Sequence, residues 1–367
     1  MGGRPTIYDV AREAGVAAST VSRAYARPGR VNSDTARAIF EAAERIGYRA
    51  TRITGTLGAG TAKQTGAVAL MVSDITNPFY GEIIKGAEEA ARLAGYALLL
   101  SDSSEQGSVE RDVIERTLDL VEGVVLASSR MSDSAIRTIA KQKPLVLLNR
   151  QMPDISCIVA DQARGIRRAA EHLGELGHDT ITYVAGPAAS WPEGMRWRAL
   201  REAGMELELR IRRIDPDAAP TIYTGFATAA RVVEEGATAV LAYNDALAVG
   251  VIKGLTHLGV RVPQEVSVVG FDNVLLGEVV DPPLTTVTAP RRKMGEAGVG
   301  NVLALAAGAH TSGETLVLPI RLVVRGSTGA CLPVDQRRRY SISPARGTTS
   351  VSGSAAKAAG STDAGSR

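Results

Sequence analysis

The 367-residue chain lacks several features that mark specialised classes of protein. It has only two cysteines, Cys157 and Cys331, far apart in sequence, which argues against a disulfide-rich secreted scaffold. No stretch approaches the length of a membrane-spanning apolar run, and the first residues, MGGRPTIYDV, contain no apolar secretory segment. We therefore expect a protein of the reducing cytoplasm that does not associate with a membrane.

The net charge of +3 is unevenly distributed along the chain. Residues 1–63 contain ten Lys or Arg and five Asp or Glu, whereas residues 64–331 are net negative. A basic front on an acidic body indicates that the front binds a polyanion and the body does not. A merely solvated basic surface would give the same count, so charge alone leaves both interpretations open.

Two helical patterns joined by a glycine lie near the start of the chain, in DVAREAGVAASTVSRA. The sequence predicts helices over 7–14, 18–25 and 34–46, with Asn32 as the N-cap of the third. This spacing, with Gly15 at the turn, is typical of a helix-turn-helix unit, whose second helix enters the major groove. Its predicted outer face has small side chains that allow close approach to base edges; Arg23 can bond guanine in a fork, and Ser19 can bond either base partner. A three-helix domain with no DNA role is the alternative.

The rest of the chain divides into a linker, a folded body and a tail. Residues 49–65 hold no sustained apolar period and are predicted to be a hinge. Residues 66–330 alternate apolar strands with helices, which predicts two parallel sheets of five strands each, covered on both faces. Residues 331–367 are rich in Ser, Ala and Gly and are predicted to form a disordered tail.

Motifs for other chemistries are weak in this chain. GTLGAGTAK lacks the Lys-Ser/Thr of a phosphate-binding loop, and no cofactor fingerprint follows a strand. His172 and His178 are spaced to lie on different helix faces, so we expect capping or surface roles and no metal site there. No nucleophile–histidine constellation is evident. The sequence therefore predicts neither an enzyme nor a bound cofactor.

TIYDVAREAGVAASTVSRAY and RVNSDTARAIFEAAERIGY resemble the DNA-binding domain of the lactose-repressor (LacI/GalR) family of bacterial transcription regulators. The resemblance continues through SDITNPFYGEIIKGAEEAARLAGY, NDALAVGVIKGLTHLGVRVPQEVSVVGFDN and PPLTTV, from about Thr6 to Ser327. It implies an α/β chain made of a three-helix head (1–48), a hinge and a periplasmic-binding-protein-like sensor. The sensor would have a first subdomain of about 66–161 plus 291–321 and a second of about 162–290 plus 322–330.

The resemblance also implies roles for individual residues of the head. Ala18, Ser19 and Arg23 match the base-reading positions, and the phosphate-holding positions are matched by Thr6, Thr20, Ser22 and Asn32. Leu57 matches a leucine that the family inserts into the minor groove, a wedge whose unstacking cost is offset by wider contact with bent DNA. Two departures stand out: Ala17 replaces the usual Ser or Thr cap, and Thr54-Gly55 replaces Ala-Arg in the hinge.

In the sensor, the resemblance places ligand-binding residues on both sides of a cleft, beyond the carboxyl ends of the strands. The first side would supply Asp74, Asn77, Phe79, Ser128 and Arg150, and the second Trp191, Arg196, Phe226, Asn244 and Asp272. An acid and an arginine can bond vicinal hydroxyls while an aromatic face covers C–H surface, which suits a sugar, polyol or nucleoside.

We therefore expect a homodimeric repressor that binds double-stranded, pseudo-palindromic operator DNA under the control of a small effector. A solute-binding protein for a transporter shares the sensor fold, but would need an export signal and no DNA-binding head. An enzyme on a doubly wound fold is the third class, disfavoured by the missing cofactor motif.

Overall fold

The computed structural model describes residues 6–26, 31–46, 65–309, 313 and 315–333. It contains two compact units, Met1–Gln64 and Thr65–Arg367. The predicted hinge, apart from Thr65, and the predicted tail from residue 334 onward lie outside the described residues, as does Leu57. Within the described part, no helix has both the length and the apolar character needed to cross a bilayer.

The first unit is a three-helix head. Its helices are α1 (Ile7–Ala14), α2 (Ala18–Ala26) and α3 (Ser33–Arg45), each within a residue of its predicted start. Gly15 adopts a left-handed conformation with φ 66°, which ends α1 and turns the chain toward α2. Apolar side chains from all three helices form one small core: Val10, Ala11, Val21, Ala24, Ile39 and Ala43.

The second unit contains two sheets, each the centre of one subdomain; labels run in chain order. The first subdomain has strands β1 (Ala67–Val72), β2 (Ala97–Asp102), β3 (Val124–Ala127), β4 (Leu145–Leu148), β5 (Ser156–Ala160) and β11 (Thr315–Leu318). Its helices are α4 (Phe79–Leu93), α5 (Gly107–Thr117), α6 (Asp133–Ala140) and α12 (Arg291–Ala306). The strand order is β11-β5-β4-β3-β1-β2, and every pairing is parallel.

The second subdomain repeats this layered arrangement. Its strands are β6 (Thr180–Val184), β7 (Arg210–Ile214), β8 (Ala239–Ala242), β9 (Ser267–Asp272), β10 (Thr285–Thr288) and β12 (Arg321–Val323), in the order β12-β10-β9-β8-β6-β7. Only the β10–β12 pairing is antiparallel. Its helices are α7 (Gln162–Glu175), α8 (Trp191–Glu206), α9 (Ile222–Glu234), α10 (Asp245–His257) and the single turn α11 (Leu276–Val279).

Each sheet has six strands, where the sequence predicted five. The additional strands, β11 and β12, come from TLVLPIRLV, a segment that passes from one sheet to the other through Pro319 and Ile320. The predicted crossing at Arg321 thus lies about two residues too late. The segment ELELRIRR, apolar at every second residue, forms a strand only from Arg210 onward, because α8 continues to Glu206 before the chain turns.

Strand ends and helix starts are linked by capping side chains. Asp161 accepts a hydrogen bond from the Arg164 backbone N–H (3.1 Å), just after β5. Asn244 accepts one from the Leu247 N–H (2.9 Å), just after β8. Each cap satisfies a backbone donor that the first helical turn leaves unpaired. The polar side chains at these junctions are thereby fixed at the carboxyl edges of the sheets.

Candidate ligand cavity and DNA-binding head

A narrow cavity with about 20 Å³ of free interior volume lies between the two subdomains, at the carboxyl ends of their strands. Both subdomains supply polar and aromatic groups to its wall. The lining residues are Asn77, Phe79, Tyr80, Glu105, Ser128, Arg130, Asn149, Pro192, Arg196, Pro220, Tyr243, Asn244 and Asp272. This edge is where doubly wound sheets bind ligands.

Arg196 is the central cation of the second subdomain's wall. The residue is buried, and its guanidinium has partners on several sides. Nε donates to the Gln162 side-chain oxygen (2.8 Å), and Nη1 donates to the Tyr243 carbonyl oxygen. Nη2 lies 3.6 Å from a carboxylate oxygen of Asp272. The guanidinium carbon lies 3.5 Å from the centre of the Phe271 ring. An arginine fixed in this way can present a planar donor face without losing side-chain entropy on binding.

Two buried carboxyl groups lie behind and beside this arginine. Burial raises the pKa of Asp272 to about 6, against the opposing attraction of Arg196 and Arg291. Burial, together with the charge of Asp272, raises the pKa of Asp245 to about 8. Asp245 accepts hydrogen bonds from the Thr286 hydroxyl (2.6 Å) and the Val274 N–H (2.8 Å). Asp272 is thus the acid that faces the cavity, and Asp245 supports the strand ends behind it.

The first subdomain's wall contains a second ion pair. Arg130 Nε donates to Glu105 (2.6 Å), and Arg130 Nη1 donates to the Ser128 carbonyl oxygen (3.0 Å). The Arg130 side chain is 5% exposed. Buried Glu110 accepts from the Arg130 N–H (2.9 Å) and fixes the loop; its own pKa is raised by burial. Each cationic group in the cavity wall therefore lies beside a carboxylate.

Left-handed backbone conformations direct several of these side chains. Ser128, Asn149 and Asp272 have φ values of 61°, 58° and 112°, each at or just after a strand end. Such conformations are uncommon for residues other than glycine and cluster at functional sites. The Asn149 side-chain oxygen is buried and has no hydrogen-bond partner in the described structure. It is an acceptor available to a bound hydroxyl or amine.

The structure brings six of the ten predicted effector residues to the cavity wall: Asn77, Phe79, Ser128, Arg196, Asn244 and Asp272. Their ligand contacts stay a prediction. Sequence reasoning missed seven other lining residues, and five of these carry polar groups: Tyr80, Glu105, Arg130, Asn149 and Tyr243. Asn149 and Tyr243 could have been found from the strand-end pattern, because each directly follows a buried strand. Arg130 carries no such signal, since it lies three residues beyond β3.

The other four predicted effector residues are not brought to the cavity wall. Asp74 accepts from the Thr76 N–H (2.9 Å) and hydroxyl (2.6 Å), so its carboxylate holds the turn before α4. Arg150 instead donates to the Met131 carbonyl oxygen (2.6 Å) and pairs with Asp133 (2.5 Å).

The two aromatic residues of this group lie on helices of the second subdomain. Phe226 is 41% exposed on α9, with its ring 5.5 Å from that of His257 on α10. Trp191 is half-buried as the first residue of α8, after the capping residue Ser190.

Two further expectations concern histidine and metal. His178 was expected at the surface or in a cap, but it is 3% exposed; its ring nitrogens contact the Thr238 and Ser267 hydroxyls at 3.1 and 3.0 Å. The apolar strand β6 follows it, and the segment around Gly329 lies against the ring, whose Nε2 is 3.3 Å from the Gly329 carbonyl oxygen. Among the described residues, no group of three or more His, Cys, Asp or Glu side chains could hold a metal ion.

In the head, Ser19 and Arg23 are exposed on α2 and Thr20 is half-buried. Ala18, predicted to face outward, is partly buried against the head's core because it opens α2 beside α1. The side chain of Ser22 is outside the described set.

The two predicted phosphate contacts outside α2 make capping interactions. Asn32 precedes α3, and its side-chain oxygen accepts from the Asp34 N–H (2.8 Å). Thr6 donates both its N–H (2.8 Å) and its hydroxyl (2.6 Å) to Asp9, whose pKa these bonds lower. Both Thr6 donors are therefore engaged inside the head, and a phosphate contact would require them to rearrange.

Comparison with known proteins accounts for both units. Residues 6–50 match the family described as bacterial regulatory proteins, lacI family, and residues 170–328 match a periplasmic binding protein-like domain. The HTH-type transcriptional regulator DegA of Bacillus subtilis is 33% identical over 89% of this chain and 98% of its own length.

Two solved structures show the same architecture. A lac repressor dimer bound to operator and an anti-inducer has a TM-score of 0.76 and 25% identity, covering 89% of this chain and 100% of that one. A complex of the transcriptional regulator CelR with cellobiose has a TM-score of 0.66 and 27% identity, covering 88% and 100%. A helix-turn-helix head, two binding-protein-like subdomains and these relatives agree: the chain belongs to the lacI family of bacterial regulatory proteins.

Proposed function

We propose that this transcription regulator is a repressor, whose affinity for a pseudo-palindromic operator is set by an uncharged polyhydroxylated ligand in the cavity. The candidate classes are sugars, polyols and nucleosides. The observation that carries the proposal is the buried Arg196–Asp272 pair, with a 3.6 Å separation, at the junction of the two subdomains. A guanidinium and a carboxylate side by side can donate to one hydroxyl and accept from its neighbour.

The balance of charge supports an uncharged ligand. Arg196 faces Asp272 and Arg130 faces Glu105, so neither guanidinium requires an anionic partner from outside. An anionic ligand would compete with a carboxylate already in place, and burying the displaced charge would be costly. The aromatic ring of Phe79 and the Asn149 oxygen add an apolar wall and an acceptor. The CelR complex with cellobiose shows a carbohydrate bound to a protein of similar fold.

The ligand would control DNA binding through the arrangement of the subdomains. Three chain crossings, after Asp161, before Arg291 and at Pro319–Ile320, join the two sheets. A ligand that contacts both cavity walls has different affinities for the open and closed arrangements. By thermodynamic linkage, the ligand changes operator affinity by no more than the ratio of its own affinities for the open and closed arrangements.

DNA recognition can be tested after operator selection from a random duplex library, using mobility shifts. Arg23→Ala should weaken operator binding by about 1–3 kcal/mol and relax selectivity at one base position. Arg137→Ala, an exposed arginine on α6, is the matched control and should bind as the wild type does. Unchanged affinity and selectivity in Arg23→Ala would remove α2 from base recognition.

The cavity can be tested by a thermal-shift screen of sugars, polyols and nucleosides, because a ligand of the folded state raises the melting temperature. Calorimetry on the best ligand should show at least tenfold weaker binding to Asp272→Asn. Asp119→Asn, at an exposed position, should bind normally. If Asp272→Asn binds the ligand as tightly as the wild type, the ligand lies elsewhere.

A further inference from the structure

A second recess, distinct from the ligand cavity, lies on the second subdomain where helix α7 faces strand β12. It is an open groove of about 350 Å³. Charged and apolar side chains both line it, and the residues that matter are Arg164, Arg168, Glu171, Ile320, Arg321 and Leu322. None of these residues lines the cavity between the subdomains. The groove is thus a separate place where a ligand could bind.

The positive charges of the groove are only partly neutralised. Glu171 pairs with Arg168 (3.1 Å), but it also pairs with Arg167 (2.9 Å), which points away from the groove lining. Within the described residues, neither the Arg164 nor the Arg321 guanidinium has an ion-pair or hydrogen-bond partner. Of the three guanidiniums at this end of the groove, only that of Arg168 has a carboxylate partner among the described residues.

The remaining acid of the groove, Glu175, is the lining residue of α7 farthest from Arg164. It is eleven residues beyond Arg164 and seven beyond Arg168 on the same helix, or about 16 Å and about 10 Å along the axis. Arg164 and Arg168 are four residues apart and so lie on one face of α7, one turn apart. Opposite them, Arg321 begins β12, where its Cα pairs with that of Thr288. The cations thus come from two different elements on either side of an opening.

We infer that this groove binds a phosphoryl dianion, as free phosphate or as the phosphate of a small phosphate monoester, through Arg164, Arg168 and Arg321. Guanidinium groups match the oxygens of a phosphoryl group in paired, charge-assisted hydrogen bonds. The apolar side chains of Ile320 and Leu322, which line the groove, would cover the organic part of a monoester. The site is additional to the uncharged effector site, so either can fail without the other.

The position of the groove couples it to two crossings between the subdomains. Helix α7 starts directly after the first crossing, and β12 starts directly after Pro319 and Ile320. Ile320 packs tightly under α7, because a Cβ on Gly165 would lie 2.2 Å from Ile320 Cδ1. An anion that bridges α7 and β12 would fix these two entry points relative to each other.

The test is calorimetry on the full chain with inorganic phosphate, and in parallel with glycerol 1-phosphate and glycerol, at constant ionic strength. We expect one saturable phosphate site per chain, affinity that falls as sodium chloride is added, and no binding of glycerol at this site. Tighter binding of glycerol 1-phosphate than of phosphate would identify a phosphate monoester as the ligand. Equal binding would identify phosphate itself.

Variants separate this site from general attraction to a basic surface. The double variant Arg164→Gln/Arg321→Gln should lose phosphate affinity at least tenfold, and Arg164→Lys/Arg321→Lys should recover part of it. The control, Arg137→Gln/Arg201→Gln, removes the same charge from two exposed arginines and should bind normally. The inference is overturned if phosphate does not saturate the wild type, or if both Gln variants bind phosphate alike. Equal melting temperatures of the variants without phosphate show that they fold.

Discussion

The guanidinium of Arg196 lies over the ring of Phe271, with 3.5 Å between its central carbon and the ring centre. The aromatic ring at the end of β9 thereby supports the cation from below, while Asp272, the next residue, faces it from the side. Attraction between a cation and a ring face is strongest where water is excluded, as it is here. Strand β9 therefore fixes both the position and the charge balance of the cavity's central arginine.

Replacing Arg196 by Lys is predicted to weaken effector binding at least tenfold although the positive charge is retained. A lysine ammonium cannot reach Gln162, the Tyr243 carbonyl oxygen and Asp272 in one fixed plane, as the guanidinium does. Calorimetry with the ligand found by thermal-shift screening measures the loss. Arg198→Lys, two residues along α8 in an exposed pair with Glu202, is the control. Wild-type affinity in Arg196→Lys would show that charge alone is needed.

The stability of the second unit is predicted to fall as pH rises from about 4 to 8. Asp245 and Asp272 have folded-state pKa values of about 8 and about 6, chiefly because of burial, against an ordinary value of 3.8. The folded state thus holds these protons more tightly than the unfolded chain does, and folding free energy is lost as they dissociate. Thermal melting across this range checks the direction.

Asp245→Asn should reduce this loss of stability, most clearly between pH 6 and pH 8. An asparagine can still accept from the Val274 N–H and can donate to the Thr286 hydroxyl, so the local bonds have a replacement. The readout is the change of melting temperature with pH, which does not depend on the variant's absolute stability. Asp119→Asn should keep the wild-type pH dependence. If the melting temperature of Asp245→Asn changes with pH as that of the wild type does, Asp245 is not the source of the pH dependence.

The sequence predicted the layered fold because its apolar runs are long enough to identify strands buried on both faces, as in β3 and β4. It also located the cavity edge, since polar residues such as Asn244 and Asp272 come directly at strand ends. The short strands β11 and β12 were missed because each has only three or four residues and is partly exposed. Only pairing with β5 and β10 identifies them as strands.

The identity of the residues that line the cavity was less predictable than the fold, because the direction of a side chain depends on a few backbone angles. Asn149 has a φ of 58°, so Asn149 faces the cavity and Arg150 turns to Asp133. Ser128, with a φ of 61°, likewise redirects the loop that carries Arg130. Neither serine nor asparagine requires such a conformation. The sequence therefore does not distinguish which of two neighbouring residues points inward.

Packing between α4 and α12 is predicted to make two glycines of one helix respond in opposite ways to alanine. A Cβ on Gly86 would lie 2.0 Å from the Arg292 carbonyl oxygen, so Gly86→Ala must separate the helices and should cost about 1–3 kcal/mol. Gly81 has no atom within 4 Å of its Cβ position, so Gly81→Ala should stabilise the helix by up to about 1 kcal/mol. Urea unfolding of both variants measures the difference, and equal effects would contradict the close approach.

Ala17→Ser is predicted to stabilise helix α2 in the head. Residue 17 stands immediately before α2, and its carbonyl oxygen accepts from the Thr20 and Val21 N–H groups, while its methyl side chain offers no acceptor to the first turn. A serine hydroxyl there can accept from the backbone N–H of Ser19, two residues further on, which is typically a gain of about 1 kcal/mol. Amide hydrogen exchange in α2 should slow by about fivefold, the factor that this free energy implies at 25 °C.

Ala17→Val adds bulk at the same exposed position without an acceptor and should not slow exchange. Because α2 bears Arg23, operator affinity should rise with the serine and not with the valine; equal exchange in the two variants would mean that the missing cap does not limit the helix.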